Sequence, residues 1–264
     1  MSHTCFIQIR DRQWVNINCA TAFYGFELRG YEIVPFTREE VHSIPVTADT
    51  VVVGEIATTK HALREAGYEP PETVGVPERL LPLLKRATWT STLGEVQQLF
   101  NGGEEESLHR PLFIKPRDTL KTFTGHVISN MGDLLTTAYL PAEMPVIVQE
   151  AVDFVSEWRC FVQEGRIIHM ARYHGAPLMF PDISVAMEAM DLWGADAPIA
   201  YSVDIGVIHD QGTALVELND GFSLGCYGMD GLTYSHFVEA RWKEMTHPSR
   251  RLRECGPGVA GGSV

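Results

Sequence analysis

The chain has 264 residues, and its 21 Lys and Arg against 34 Asp and Glu give a net charge of −13. That balance excludes nucleic acid and anionic membranes as bulk partners, while leaving room for a local basic cleft. No uninterrupted apolar run is long enough to span a bilayer, and "MSHTCFIQIRDRQW" lacks the pattern of a signal peptide.

In chain order, "TCFIQI" (4–9) reads as a buried strand. "INCATAFYGFELRG" (17–30) reads as a helix, with apolar residues at 19, 20, 23, 24 and 28 and Gly30 at its end. "YEIVPF" (31–36) and "TVVVGE" (50–55) are further strands, and "TTKHALREAGY" (58–68) has helical spacing. Residues 1–90 therefore read as a small α/β layer. "GYEPPETVGVPERLLP" (67–82) is a connection with a short helix, "TLGEVQQLF" (92–100) a helix, and "NGGEEES" (101–107) a surface loop.

From 111 onward strand-like runs dominate: "LFIKP", "GHVIS", "VIVQEAV", "EWRCFVQ", "RIIHMARY", "AYSVDIGVI" and "TALVEL". Glu164-Gly165 and Asp210-Gln211-Gly212 mark hairpin turns, with a helix over 182–193 between the hairpins. Antiparallel sheet with helices makes the class α+β. Residues 246–264 read as a flexible tail. Its literal GxGxxG, "GPGVAG", has no strand before it and no room for a helix after it, so it is no dinucleotide site. P-loop, HExxH and GxSxG motifs are absent. Five scattered cysteines (Cys5, Cys19, Cys160, Cys226, Cys255) without CxxC argue for free thiols in a reducing cytosol, so a cytoplasmic location is expected.

Three constellations carry chemistry. In "LVELNDGFSLG", Glu217 and Asn219 share a strand face. Counting back from the turn pairs 205 with 217, which brings Asp204 within about one residue of Glu217. Two carboxylates and an amide oxygen suit Mg²⁺ shared with phosphates. The alternative is a polar strand end that opens a turn. In "PLFIKPRDTLKTFTGHV", Lys115 leaves a strand and Lys121 sits in the following loop with Thr119, Thr122 and Thr124, a phosphate-holding arrangement or an ordinary solvated loop. In "VIVQEAVDFVSEWRCFV", a strand ends in Gln149-Glu150, and a link leads to Glu157 and Arg159. The link can offer backbone groups to an adenine edge. Hairpin counting sets 159 near 170 and Arg172 one step along, so the two arginines either hold phosphoryl oxygens or form a surface Glu–Arg pair.

The series "FIKP", "VQEAVDFVSEWR", "YSVDIGV" and "VELNDGFSLGCYG", over about 111–228, resembles the ATP-grasp superfamily. It looks most like the clade named for two arginines and one lysine. The resemblance implies an ATP-grasp fold of two α+β lobes (91–245) preceded by an α/β pre-grasp domain (1–90). It implies ATP phosphates on Lys115 and Lys121, and nucleotide contacts from Gln149, Glu150, Glu157 and Asn219. It implies magnesium on Asp204, Glu217 and Asn219, with Arg159, Arg172 and Lys121 at the transferring phosphoryl or the acceptor. The implied activity is an ATP- and Mg-dependent carboxylate–amine ligase acting through an acylphosphate. The alternatives are a non-catalytic ATP-binding module or a kinase of the same fold. Substrates would be a small-molecule or peptide carboxylate and an amine, with no membrane or nucleic-acid partner and a homodimer left open. The 115–127 loop is poorer in glycine than many loops of that superfamily, and the chain has little room for a large substrate domain.

Overall fold

The computed structural model describes residues 3–72, 74–101, 110–117, 122–130, 132–247 and 249. Lys121, Thr119, Cys255 and almost all of the expected tail lie outside them.

The first layer is a parallel sheet. β1 (Thr4–Arg10) is flanked by β3 (Glu32–Phe36) and β4 (Thr50–Val53), and the short β2 (Gln13–Trp14) folds back on β1. α1 (Ile17–Leu28) starts where the Asn16 side chain accepts from the Cys19 N–H. α2 (Ile56–Glu65) follows β4. The apolar faces of these elements share one core with α5 (Gly231–Met245), a helix from the far end of the chain. α5 lies so close to α1 that a Cβ on Gly25 would sit inside the Gly231 carbonyl, and glycine permits that approach. Glu239 of α5 binds Arg29 and Tyr31 (2.6 Å), which fastens α5 to the end of α1, and pairs along its own helix with Lys243 (2.5 Å).

The second layer is an antiparallel sheet in the order β5-β8-β6-β7: β5 (Thr88–Thr92), β8 (Pro145–Glu150), β6 (Leu112–Pro116), β7 (His126–Ile128). α3 (Leu93–Asn101) covers one face around Ile114, Val146 and Val148. The opposite face carries Phe113 and Lys115, which pair with Gln149 and Ile147.

The third layer is the antiparallel sheet β10-β9-β11-β12: β10 (Arg166–Gly175), β9 (Phe154–Gln163), β11 (Ala200–Ile208), β12 (Gly212–Asp220). Trp158, Cys160 and Val162 point one way, into a core closed by Ala186, Ala189 and Trp193 of α4 (Ser184–Trp193). Glu157, Arg159 and Phe161 therefore point the other way. The β9–β10 turn uses Glu164 and Gly165 at φ 52° and 71°, the left-handed pair that a tight hairpin turn demands.

The expected strands and helices over 111–220 are present, so the chain is α+β. β5 and α5 were not anticipated. "TWTST" alternates too weakly in polarity to read as a half-buried strand. α5 is buried on several sides, so it lacks a clean apolar stripe.

Candidate active site

The second and third sheets face each other across a cleft of about 350 Å³, bridged by the link from β8 to β9. Phe113, Lys115 and Val127 line it from one side, and Glu157, Tyr173 and Glu217 from the other. Phe154, the first residue of β9, enters beside the link, where Gly206 lets it approach: a Cβ on Gly206 would be 2.4 Å from the Phe154 ring. Where β8 gives way to the link, the Glu150 and Ala151 N–H groups already donate to the Ala87 and Pro111 carbonyls, at 2.9 and 3.0 Å.

At the cleft's inner end, Asp204 pairs with Glu217 across β11 and β12. Hairpin counting put 217 opposite 205; the turn closes as Ile208 opposite Gly212, which sets Ile205 opposite Leu215, and a bulge at Val216 then brings Glu217 opposite Asp204, within one residue of the count. Asn219 donates to Glu217 at 3.1 Å and to Asp204 at 3.3 Å, so the three oxygen-bearing residues converge. Lys115 stands 3.9 Å from Glu217.

Asp204 is fully buried, and the Arg159 guanidinium grips it with two bonds, 2.8 and 2.6 Å long. Ser202 adds a further bond at 3.2 Å. Burial pushes Asp204 up to about 6, while Arg159 pulls it back toward the ionised form. Arg159 in turn lies over the rings of Tyr227 (4.7 Å) and Tyr173 (5.6 Å).

Arg172 is not part of this group. A register shift between Ile167 and His169 sets Arg159 opposite Ala171, and puts Arg172 opposite Trp158. One extra residue on a strand reverses the facing of everything beyond it. Arg172 is exposed and donates to the Gly175 carbonyl at 2.6 Å, and Tyr173 takes the inward position, donating to Glu157 at 2.9 Å. Lys121 lies outside the described residues. Glu150 carries an exposed pair with Arg110 at 2.9 Å, and Gln149 accepts from Arg86 through both Nε and Nη2 at 3.1 Å.

Arg86 was missed. It precedes β5, and its guanidinium also reaches the carbonyls of Leu84 (3.0 Å), Leu215 (2.8 Å) and Val216 (2.9 Å). It thus ties the second sheet to the β12 bulge and presents positive charge to the cleft. Burial pulls its pKa down to about 10, against Glu157 and Glu217, which raise it. The only sequence signal was a lone arginine between an apolar 3-10 turn and an unrecognised strand.

The donor set fits a hard divalent cation. Glu217 is 38% exposed and faces the lysine, and Asn219 stands beside it with its amide N–H turned to the two carboxylates. Asp204 differs, because each of its oxygens already accepts two hydrogen bonds. Among the described residues no cluster of three or more His, Cys, Asp or Glu could hold a metal. A cation here would rest on a mixed carboxylate–amide set.

Two sheets gripping a cleft with a lysine and a Glu-x-Asn pair define an ATP-grasp fold. The sequence model of the ATP-grasp domain, family 2 of the clade named for two arginines and one lysine, matches residues 83–237, and the chain belongs to that family. No curated protein sequence matches the chain. Among solved structures, D-alanine–D-alanine ligase from Bacillus anthracis complexed with ATP is 14% identical, with TM-score 0.55, over 95% of this chain and 98% of that one. A RimK domain ATP-grasp protein from Sphaerobacter thermophilus is 15% identical, with TM-score 0.54, over 91% and 97%. The ATP-grasp ligase PsnB complexed with a minimal precursor is 13% identical, with TM-score 0.51, over 91% and 99%. At such identities the likeness concerns the fold. Among the described residues no helix is long and apolar enough to cross a membrane.

Proposed function

We propose that the chain is an ATP- and Mg-dependent ligase that joins a carboxylate to an amine through an acylphosphate. The observation that carries this reading is the convergence of Lys115, Glu217, Asn219 and the Arg159–Asp204 pair at the inner end of one apolar-walled cleft. A 350 Å³ cleft with a few converging polar groups suits a nucleotide. Phe113, Val127 and Phe154 would flank the base, and the link that follows Glu150 would meet its edge. Lys115 would hold phosphate oxygens as a point charge, while Arg86, whose N–H groups are taken up by Gln149 and three carbonyls, would add only its positive field.

Phosphoryl transfer asks a protein mainly for positioning and charge neutralisation. Glu217 and Asn219 would hold magnesium, which supplies charge neutralisation between phosphate oxygens. Asp204 would orient Arg159, and it would ligate directly only if Arg159 let go of one oxygen. Arg159, stacked on two tyrosines, would face the transferring group. Arg86 and Arg159 therefore stand as the two arginines of the cleft. Residues 1–90 serve as the pre-grasp domain in this reading, with the grasp domain over 91–245. The substrates are a small-molecule or peptide carboxylate and an amine. The buried free thiols of Cys5, Cys19, Cys160 and Cys226 fit a reducing cytoplasm.

The test measures nucleotide binding first and turnover second. ATP with Mg²⁺ should raise the melting temperature more than GTP or CTP. ADP release should then require a carboxylate and an amine together. A phosphorylated product that persists without amine would point to a kinase. ATP binding without ADP release across a broad acid and amine screen would defeat the ligase reading.

A further inference from the structure

A second cleft, open and about 880 Å³ in volume, lies away from the nucleotide cleft, between α2 and the loop that follows β12. Arg38, Lys60, His61 and Arg64 line it. Positions 57, 60, 61 and 64 fall on one face of α2, so its basic side chains are stacked together rather than dispersed. Among the described residues, Arg38, Lys60 and Arg64 form no ion pair within 4.0 Å. His61 faces Glu65 at 3.3 Å, and Glu55, the carboxylate in the lining, is bridged to Arg10 at 3.0 Å. Three cations that share one cleft and are not paired within 4.0 Å among the described residues run against the charge of the chain, which is −13 overall. Lys60 shows the strain: partial burial and then the neighbouring Arg64 pull its pKa down, while Asp220 and Glu72 raise it.

The cleft is coupled to the nucleotide cleft by one short loop. Ser223 lines its floor and follows Asn219 by four residues, so the chain limits the two Cα atoms to at most about 14 Å apart. That loop is pinned at its start, where Asp220 accepts from Arg241 at 2.7 Å, and again further on. Ser223, held at φ 52°, donates to Thr59 at 2.9 Å, and the Cys226 N–H donates to Asn18 at 2.9 Å.

We propose that this cleft seats an anionic group of the substrate, a carboxylate remote from the one that reacts. Arg38, Lys60 and Arg64 bind it, and the Asn219–Ser223 loop sets its distance from the phosphoryl group. This rests on the ligase reading and narrows it: the substrate is an acid with at least two anionic groups, either a small dicarboxylic acid or an acidic peptide.

The experiment uses the full chain and two probes, glutarate and a fluorescein-labelled hexaglutamate peptide. Binding is measured by calorimetry for glutarate and by anisotropy for the peptide, at low salt, with and without ADP and Mg²⁺. At least one probe should bind, and K60A/R64A should weaken it by roughly tenfold or more. K60R should keep the affinity. Tighter binding of glutarate identifies a small acid, and tighter binding of hexaglutamate an acidic peptide. The ATP-induced thermal shift should be unchanged in K60A/R64A, which shows that the fold and the nucleotide cleft survive. Failure of both probes to bind, or binding unaltered in K60A/R64A, overturns the proposal while leaving the ligase reading intact. Absence of an ATP shift in the wild-type protein sinks the ligase reading instead, whatever the probes do.

Discussion

Replacing Arg159 with methionine leaves the Asp204 carboxylate buried without its partner. The structure sets the size of the effect. Asp204 has no exposure, and the two Arg159 contacts are the strongest forces holding it ionised. Breaking such a pair from one side costs about 3–5 kcal/mol. The loss should also depend on pH, with a definite sign. Burial already lifts the folded value of Asp204 to about 6, above its unfolded value of roughly 3.9. A carboxyl whose folded pKa is raised favours the folded state at low pH and withdraws that contribution as pH climbs to the folded value. In the wild type the withdrawal ends near pH 6. Without Arg159 the folded value moves higher, so the variant keeps losing stability above pH 6, by up to about 1.4 kcal/mol per pH unit. Urea denaturation at pH 5.5, 7 and 8.5 should therefore show a gap between variant and wild type that widens with pH. R159M/D204N should recover part of the loss. A gap that stays constant across that range, with the double variant as unstable as the single, would refute the buried-pair argument.

Four further outcomes follow from the same contacts. E217A should abolish ATP-dependent ADP release while changing stability by less than about 0.5 kcal/mol, because the side chain is half-exposed; a calorimetric melt beside the turnover assay checks both. R86A strips hydrogen bonds from the Leu84, Leu215 and Val216 carbonyls, so denaturation should show a loss of about 3 kcal/mol, and the ATP thermal shift should vanish. R86K should fail to restore either, since one ammonium cannot span Gln149 and the β12 bulge. For Glu239, burial works to raise the pKa, but Lys243, Tyr31 and Arg29 outweigh it and hold the value at about 2. Its contribution is present above the unfolded value of 4.5 and is lost as pH falls toward 2, about 3 kcal/mol in all. E239Q should flatten acid denaturation in that window.

The sequence by itself determined the antiparallel second half, both hairpin turns, and the Glu217-x-Asn219 pair. Each depends on period-2 alternation or on local turn chemistry, which survive in one dimension. It also placed Lys115 at a strand end and Asp204 beside Glu217, because short hairpins tie neighbours in space to neighbours along the chain. Only the tertiary structure decided which arginines enter the cleft. A bulge near Ile168 turned Arg172 outward and Tyr173 inward, and no residue pattern announces such a shift. Arg86 was equally hidden, since its meaning comes from carbonyls of β12 some 130 positions away that a second bulge exposes. The same holds for α5, whose place against α1 rests on the Gly25–Gly231 contact and the Glu239 clamp between distant segments. Periodicity reports which face of an element is apolar. Which polar groups meet across two sheets is set by register and packing, and a single inserted residue reverses it.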